Sequence, residues 1–224
     1  MTIAQISALL LQVHEGMSAV EQAAFDYYEP GGGDDKVCWA AKIINGVTFI
    51  LLPGSKSWID WVRDLDAWAN PVEHSTLGPV QPGMFLGVEQ AWVEIQARTK
   101  PPWVLTGHSL GAARSAYIAA FMTLAKLSVL GRVPFGEPKP GFRPLANIIA
   151  KVPQWGYRNG DAHGHDLVTD YPLLLPPEDY VHPSPLIEVT ARPSLVDELE
   201  TGVFCWHHMA LYAKATSALT TVVM

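Results

Sequence analysis

Val104-Leu105-Thr106-Gly107-His108-Ser109-Leu110-Gly111 is the stretch on which the reading of the fold turns. An apolar run leads into a serine with glycines two residues to either side, and the small residues Ala112-Ala113-Arg114-Ser115-Ala116 open a helix behind it. Strand, tight turn and helix in that order hold the serine in a strained backbone at the apex. Side chains at the two glycine positions would strike the neighbouring strand and helix. The helix N-terminus favours negative charge developing beside the serine. Ser109 therefore reads as a nucleophile on a sharp elbow.

Outward from the elbow the chain alternates strand and helix. Downstream, the pattern predicts a helix over 110–130, a strand near 132–135, a short helix over 143–151 and a strand over 155–158. A strand pair between 179 and 189 and a helix over 206–219 complete that half. Upstream, Ile3, Ile6, Leu9, Leu10, Val13 and Met17 keep a helical period within 2–28, which Pro30-Gly31-Gly32-Gly33 ends. Residues 37–44 and 47–52 read as a hairpin around Asn45-Gly46. Residues 57–69 read as a helix stopped by Asn70-Pro71, 71–83 as a loop, and 84–98 as a helix ended by Pro101-Pro102. Such alternation predicts an α/β fold with a largely parallel central sheet and helices on both faces.

The 224 residues fit one domain, 1–224, with the helix of 2–28 packed on it. Size scaling gives a folded surface of roughly 10,000 Å² against about 35,500 Å² unfolded, so about 70% is buried. At 49% hydrophobic and 17% charged the chain reads as globular. Lys and Arg number 15 against 22 Asp and Glu, a net charge of −7 with no basic block, which argues against nucleic acid as a partner. Cys38 and Cys205 match neither a disulfide scaffold nor a paired-cysteine zinc site and read as small buried hydrophobes. Residues 6–13 are apolar but lack a basic flank and a cleavage site, so a cytoplasmic protein, or one released without a signal peptide, is expected. The longest apolar run, 115–125, falls short of the ~20 residues that cross a bilayer, so a soluble chain without a transmembrane segment is expected.

Two more blocks join the elbow. Gly54-Ser55-Lys56-Ser57-Trp58-Ile59-Asp60-Trp61-Val62-Arg63-Asp64-Leu65 lies upstream, and Phe135-Gly136-Glu137-Pro138-Lys139-Pro140-Gly141 downstream. With Asp166-Leu167-Val168-Thr169-Asp170-Tyr171-Pro172, the set resembles the class 3 lipase family of α/β-hydrolases. The blocks look like that family's Arg-Gly-Thr/Ser segment with Asp-Trp and Asp-Leu, its Phe-Gly-Ser-Pro-Arg-Val-Gly segment and its Asp-x-Val stretch ending in Pro. The resemblance spans about residues 37–212. Pro53 stands where the family usually has Arg, and Gln81 where it usually has His.

What the resemblance implies is a carboxylic ester hydrolase, lipase or esterase, acting through an acyl-serine. Ser109 is the nucleophile, Asp166 the acid and His207 the base, in the chain order Ser, Asp, His. Met209 and Tyr212 follow His207 at the family's spacing. Asp161, which also follows a strand, stays open as the acid, and His208 as the base. The oxyanion would be held by the N–H of Leu110 and by Ser55. Trp58, Trp61 and His108 are expected to contact substrate, and the apolar stripe of 57–68 reads either as core or as a lid. His163 and His165 are too few to make a metal site, so neither metal nor cofactor is expected. The expected partner is a small-molecule or lipid ester, with transient contact at a lipid surface. The alternatives are a phospholipase, thioesterase or amidase with the same triad, and a non-catalytic structural or interaction protein that retains the fold.

Overall fold

A computed structural model describes residues 1–32, 36–55, 70–172, 180–194 and 202–223. In chain order, helices α1 (Ile3–Glu15) and α2 (Ala19–Gln22) precede strands β1 (Tyr27–Glu29), β2 (Trp39–Ile44) and β3 (Val47–Leu52). A small hairpin, β4 (Val72–His74) and β5 (Gly78–Val80), leads to α3 (Pro82–Phe85) and α4 (Val88–Arg98). Then come β6 (Trp103–His108), α5 (Leu110–Leu124), β7 (Val129–Phe135), α6 (Arg143–Ile149), β8 (Gly156–Asp161), β9 (Gly164–His165), β10 (Leu186–Val189) and α7 (Met209–Thr216). The main sheet runs β1-β2-β3-β6-β7-β8-β10, with β9 paired to β8. β3, β6, β7, β8 and β10 are parallel, while β1 and β2 join antiparallel. Among the described residues no helix is long and apolar enough to cross a membrane.

Both faces of the sheet are covered, as the uninterrupted burial of β3 and β6 requires. On one face α5 packs with α4 over Ile50, Leu52, Trp103 and Leu105; on the other, α1 and α7 cover Phe49, Leu51, Val104 and Val133. The elbow thus sits at the carboxyl end of a central strand, between two apolar layers.

Several local expectations change in the structure. The helical period of 2–28 is cut at Gly16, with φ at +89°, and a second capping box restarts a short helix when Ser18 Oγ accepts from Glu21 N–H. The chain then enters β1. Gly87, at φ +76°, divides the helix expected over 84–98. The expected loop of 71–83 carries the β4–β5 hairpin. The helix behind the elbow stops at Leu124, and β10 is a single strand that pairs in parallel with β8. Cys205 is buried, but Cys38 is only partly so. The helix and lid expectations for 57–69, and Trp58 and Trp61, lie outside the described residues.

A buried ion pair ties the sheet to α5. Arg132 on β7 pairs with Glu137, donates from Nε to Ser115 Oγ at 2.9 Å and from Nη2 to Ala112 O at 3.0 Å, and reaches Gln154 Oε1 at 2.7 Å. Burial pushes the guanidinium down to about 9, so it remains charged at neutral pH. Arg132→Met should cost about 3–5 kcal/mol by leaving Glu137 buried and unpaired. Adding Glu137→Leu should recover most of that loss, because an apolar pair needs no compensation. Urea unfolding of the two variants beside the parent checks this.

Candidate active site

Ser109 sits between β6 and α5 with φ +54° and ψ −126°, an unusual conformation for a residue other than glycine, costing of order 1–3 kcal/mol. Its surroundings hold it there. A Cβ on Gly107 would lie 2.4 Å from the Gly111 carbonyl carbon, and one on Gly111 would lie 2.0 Å from Leu52 O. Both glycines are needed for backbone to pass backbone. Ser109 N–H donates to Phe135 O at 3.0 Å, and its own carbonyl accepts from Ala112 N–H at 2.9 Å to start α5. Ser109 Oγ is buried, does not cap its helix, and has no hydrogen-bond partner among the described residues. Such bonds are often long until substrate is bound.

Asp166 and His207 come together from two 3-10 turns that pack against each other. Asp166 caps a 3-10 turn, Leu167–Asp170, that follows β9; His207 ends another 3-10 turn, Gly202–His207, just before α7. His207 Nδ1 lies 2.7 Å from Asp166 Oδ2, with both residues buried. Tyr212 OH donates to the same oxygen at 2.5 Å, and Val168 N–H donates to Oδ1 at 2.9 Å. Three donors on one acceptor-only carboxylate fix its plane and place the imidazole proton on Nδ1, so Nε2 carries the basic lone pair. Burial, then the Asp166 charge, pushes the Tyr212 phenol well above 10, so it stays a donor. Asn159 secures the frame: its N–H donates to Tyr212 OH at 3.1 Å, its Nδ2 to Trp206 O at 3.1 Å, and its carbonyl accepts from Asp166 N–H at 2.8 Å.

Gly136 is the hinge of this arrangement. At φ +57°, a Cβ there would lie 2.8 Å from Asp166 Oδ2 and 3.0 Å from His207 Cε1. Only glycine lets the turn after β7 pass beneath the acid and the imidazole.

The structure brings Ser109, Asp166 and His207 to the same end of the sheet. It leaves the open alternatives elsewhere. Asp161 accepts from Arg192 Nε at 2.7 Å, and His208 begins α7 as a partly exposed residue. His207, Met209 and Tyr212 do not share one helix, because His207 precedes α7; all three are nevertheless buried. His165 Nε2 lies 2.7 Å from Asp170, and His163 N–H donates to Asp161 Oδ1. Among the described residues no group of three or more His, Cys, Asp or Glu is disposed to hold a metal.

Gly54 stands against the elbow, so that a Cβ would lie 3.0 Å from Ser109 Cβ; the partly exposed Ser55 follows it directly. Leu110 N–H is the first of α5, where helical N–H groups lack an intrahelical partner. His108, expected as a substrate contact, is buried at 3% exposure and lies between His14 and His207. Gln81 is also buried, and its Oε1 accepts from Met84 N–H at 2.6 Å to cap α3. Sequence reasoning missed Asn159 and Arg132, which no local pattern marks, and the position of Gly136 inside a quoted block was its only signal.

The sequence profile of the family described as Lipase (class 3) matches residues 49–175. No curated protein matches the chain in sequence. Among solved structures, the chain resembles the triacylglyceride lipase of Rhizomucor miehei, at 16% identity and a TM-score of 0.62, over 84% of this chain and 78% of that one. It also resembles the mono- and diacylglycerol lipase of Aspergillus oryzae, at 19% identity and a TM-score of 0.61, over 85% and 79%. A lipase from Rhizopus microsporus var. chinensis aligns at 15% identity and a TM-score of 0.59, over 87% and 77%. These likenesses show the fold.

Gly136→Ala should part His207 from Asp166. An organophosphorus probe should then modify Ser109 about 10²-fold more slowly, the cost of displacing a reacting group by an ångström. Timed labelling, with circular dichroism to show that the variant is folded, measures this.

Proposed function

The chain belongs to the class 3 lipase family, and from that premise we propose that it is a serine-dependent carboxylic ester hydrolase whose natural substrate is a lipid ester. Ser109 Oγ attacks the ester carbonyl while His207 Nε2 takes its proton. The imidazolium that forms is stabilised by Asp166 at 2.7 Å and returns the proton to the departing alcohol, leaving an acyl-serine. Water, deprotonated by His207, then attacks the acyl carbon, and Ser109 recovers its proton as the acid leaves. The N–H of Leu110, with Ser55, supplies the oxyanion donors. No step needs a metal or cofactor, since nucleophile, base and oxyanion donors all come from the chain. Transient contact with lipid aggregates belongs to the same reading.

One observation carries it: a buried Asp166–His207 pair at the sheet end that also bears a serine at φ +54°. A scaffold protein has no need for that strain. Hydrolysis of p-nitrophenyl esters of increasing acyl length, beside a thioester, an anilide and a phospholipid, tests the reaction class. We expect ester turnover to exceed the others and to vanish in Ser109→Ala, and chelators to leave it unchanged. Absent ester turnover would favour the scaffold alternative, and preferred cleavage of another bond would move the substrate class.

His207→Ala should lose about 10³-fold or more in kcat, and His208→Ala little, since only the former removes a general base. Steady-state kinetics on variants shown by thermal melts to be folded decide between the two histidines.

A further inference from the structure

His108, the residue before the nucleophile, is buried at the end of β6, and the hydrolytic mechanism gives it no task. Its Nε2 lies 2.7 Å from the backbone oxygen of His207. A carbonyl only accepts, so the proton is on Nε2 and the Nδ1 lone pair is bare. Nδ1 is buried without a hydrogen-bond partner among the described residues, on the side of Gly54, where an added Cβ would lie 3.0 Å from it. The ring also lies over that of His207, with centroids 4.6 Å apart and planes 28° apart. His14 of α1 closes its far side edge-on at 5.0 Å, and the Tyr212 ring of α7 flanks it at 5.7 Å.

We propose that His108 is a positioning residue for the general base, a neutral imidazole that fixes the backbone and ring plane of His207 through its Nε2–H bond and its stacked face. The inference rests on His207 being the base. Neutrality matters because His207 must become positive in the transition state, and a second cation stacked on it would oppose that proton. Among the described residues, the titratable groups that face His108 are His207, His14, His208 and Tyr212, with no carboxylate among them. Burial first, then His207 and His14, hold its pKa well below 6.5. The Nε2–H bond to the His207 carbonyl opposes this only in part. The group that stacks on the base therefore stays uncharged at neutral pH. The backbone oxygen it holds lies just before α7, so the bond also anchors the turn that delivers the His207 ring to Asp166.

Two variants separate this role from core packing. His108→Phe keeps a stacked ring and loses the donor; His108→Gln keeps an N–H donor and loses the ring. With sites counted by fluorophosphonate titration so that only competent molecules enter the rate, His108→Phe should lower kcat about 10–10²-fold with KM little changed. Its rate of labelling should fall in parallel. His108→Gln should recover most of that loss and leave the acid limb of kcat/KM where it is in the parent. Parent-like kcat per titrated site in His108→Phe, with only a lower melting temperature, would overturn the proposal. So would an acid limb that rises by about one pH unit in His108→Gln, because His108 would then have been holding a competing proton. Should His207→Ala itself keep parental turnover, the base assignment falls instead, and the two failures are distinguishable.

Discussion

The approach of three backbone segments at residues 107, 111 and 52 is the constraint from which the rest of the site follows. A Cβ on Gly111 would sit 2.0 Å from Leu52 O, and one on Gly107 would meet the backbone of Gly111 itself. Strand and helix therefore meet with no side chain between them. The residue at the apex has no freedom to relax out of the left-handed region. Packing of α5 on one face of the sheet and of α1 and α7 on the other supplies the apolar burial that holds this strain in place.

Residues 135–137 carry that constraint to the other half of the site. Phe135 O accepts the Ser109 N–H, Gly136 passes beneath Asp166 and His207, and Glu137 pairs with Arg132, which in turn holds Ala112 O in the first turn of α5. The proposed nucleophile, acid and base are thus referred to three consecutive residues at the end of one central strand. Asn159 and Tyr212 do the same from the far side, locking the Asp166 carboxylate to β8 and α7. The arrangement is positioned by backbone and buried polar groups, and little of it depends on exposed side chains.

The elbow was legible because its demand is local: two glycines and a strand-to-helix switch suffice. The hairpin at Asn45-Gly46 was legible for the same reason, with φ at +51° and +78°. The largely parallel sheet and the helices on both of its faces followed from alternation alone. Boundaries were less legible where a glycine in the left-handed region ended a helix, as at Gly16 and Gly87. Contacts across the sheet left no local trace. Nothing adjacent in sequence announces that Arg132 is buried against Glu137, that Asn159 braces Tyr212, or that His108 faces inward onto His207. His207 was chosen over His208 from a spacing that assumed one helix, yet the buried residue is delivered by a 3-10 turn ahead of α7.

In the proposed mechanism Ser109 carries the acyl group between two half-reactions. Rapid-quench mass spectrometry during turnover of a p-nitrophenyl ester tests it most directly. An acyl-serine gives a transient mass gain equal to the acyl group, mapped to the peptide containing Ser109 and gone once substrate is exhausted. Hydrolysis that proceeds with no covalent adduct, or with the adduct on another residue, would contradict it.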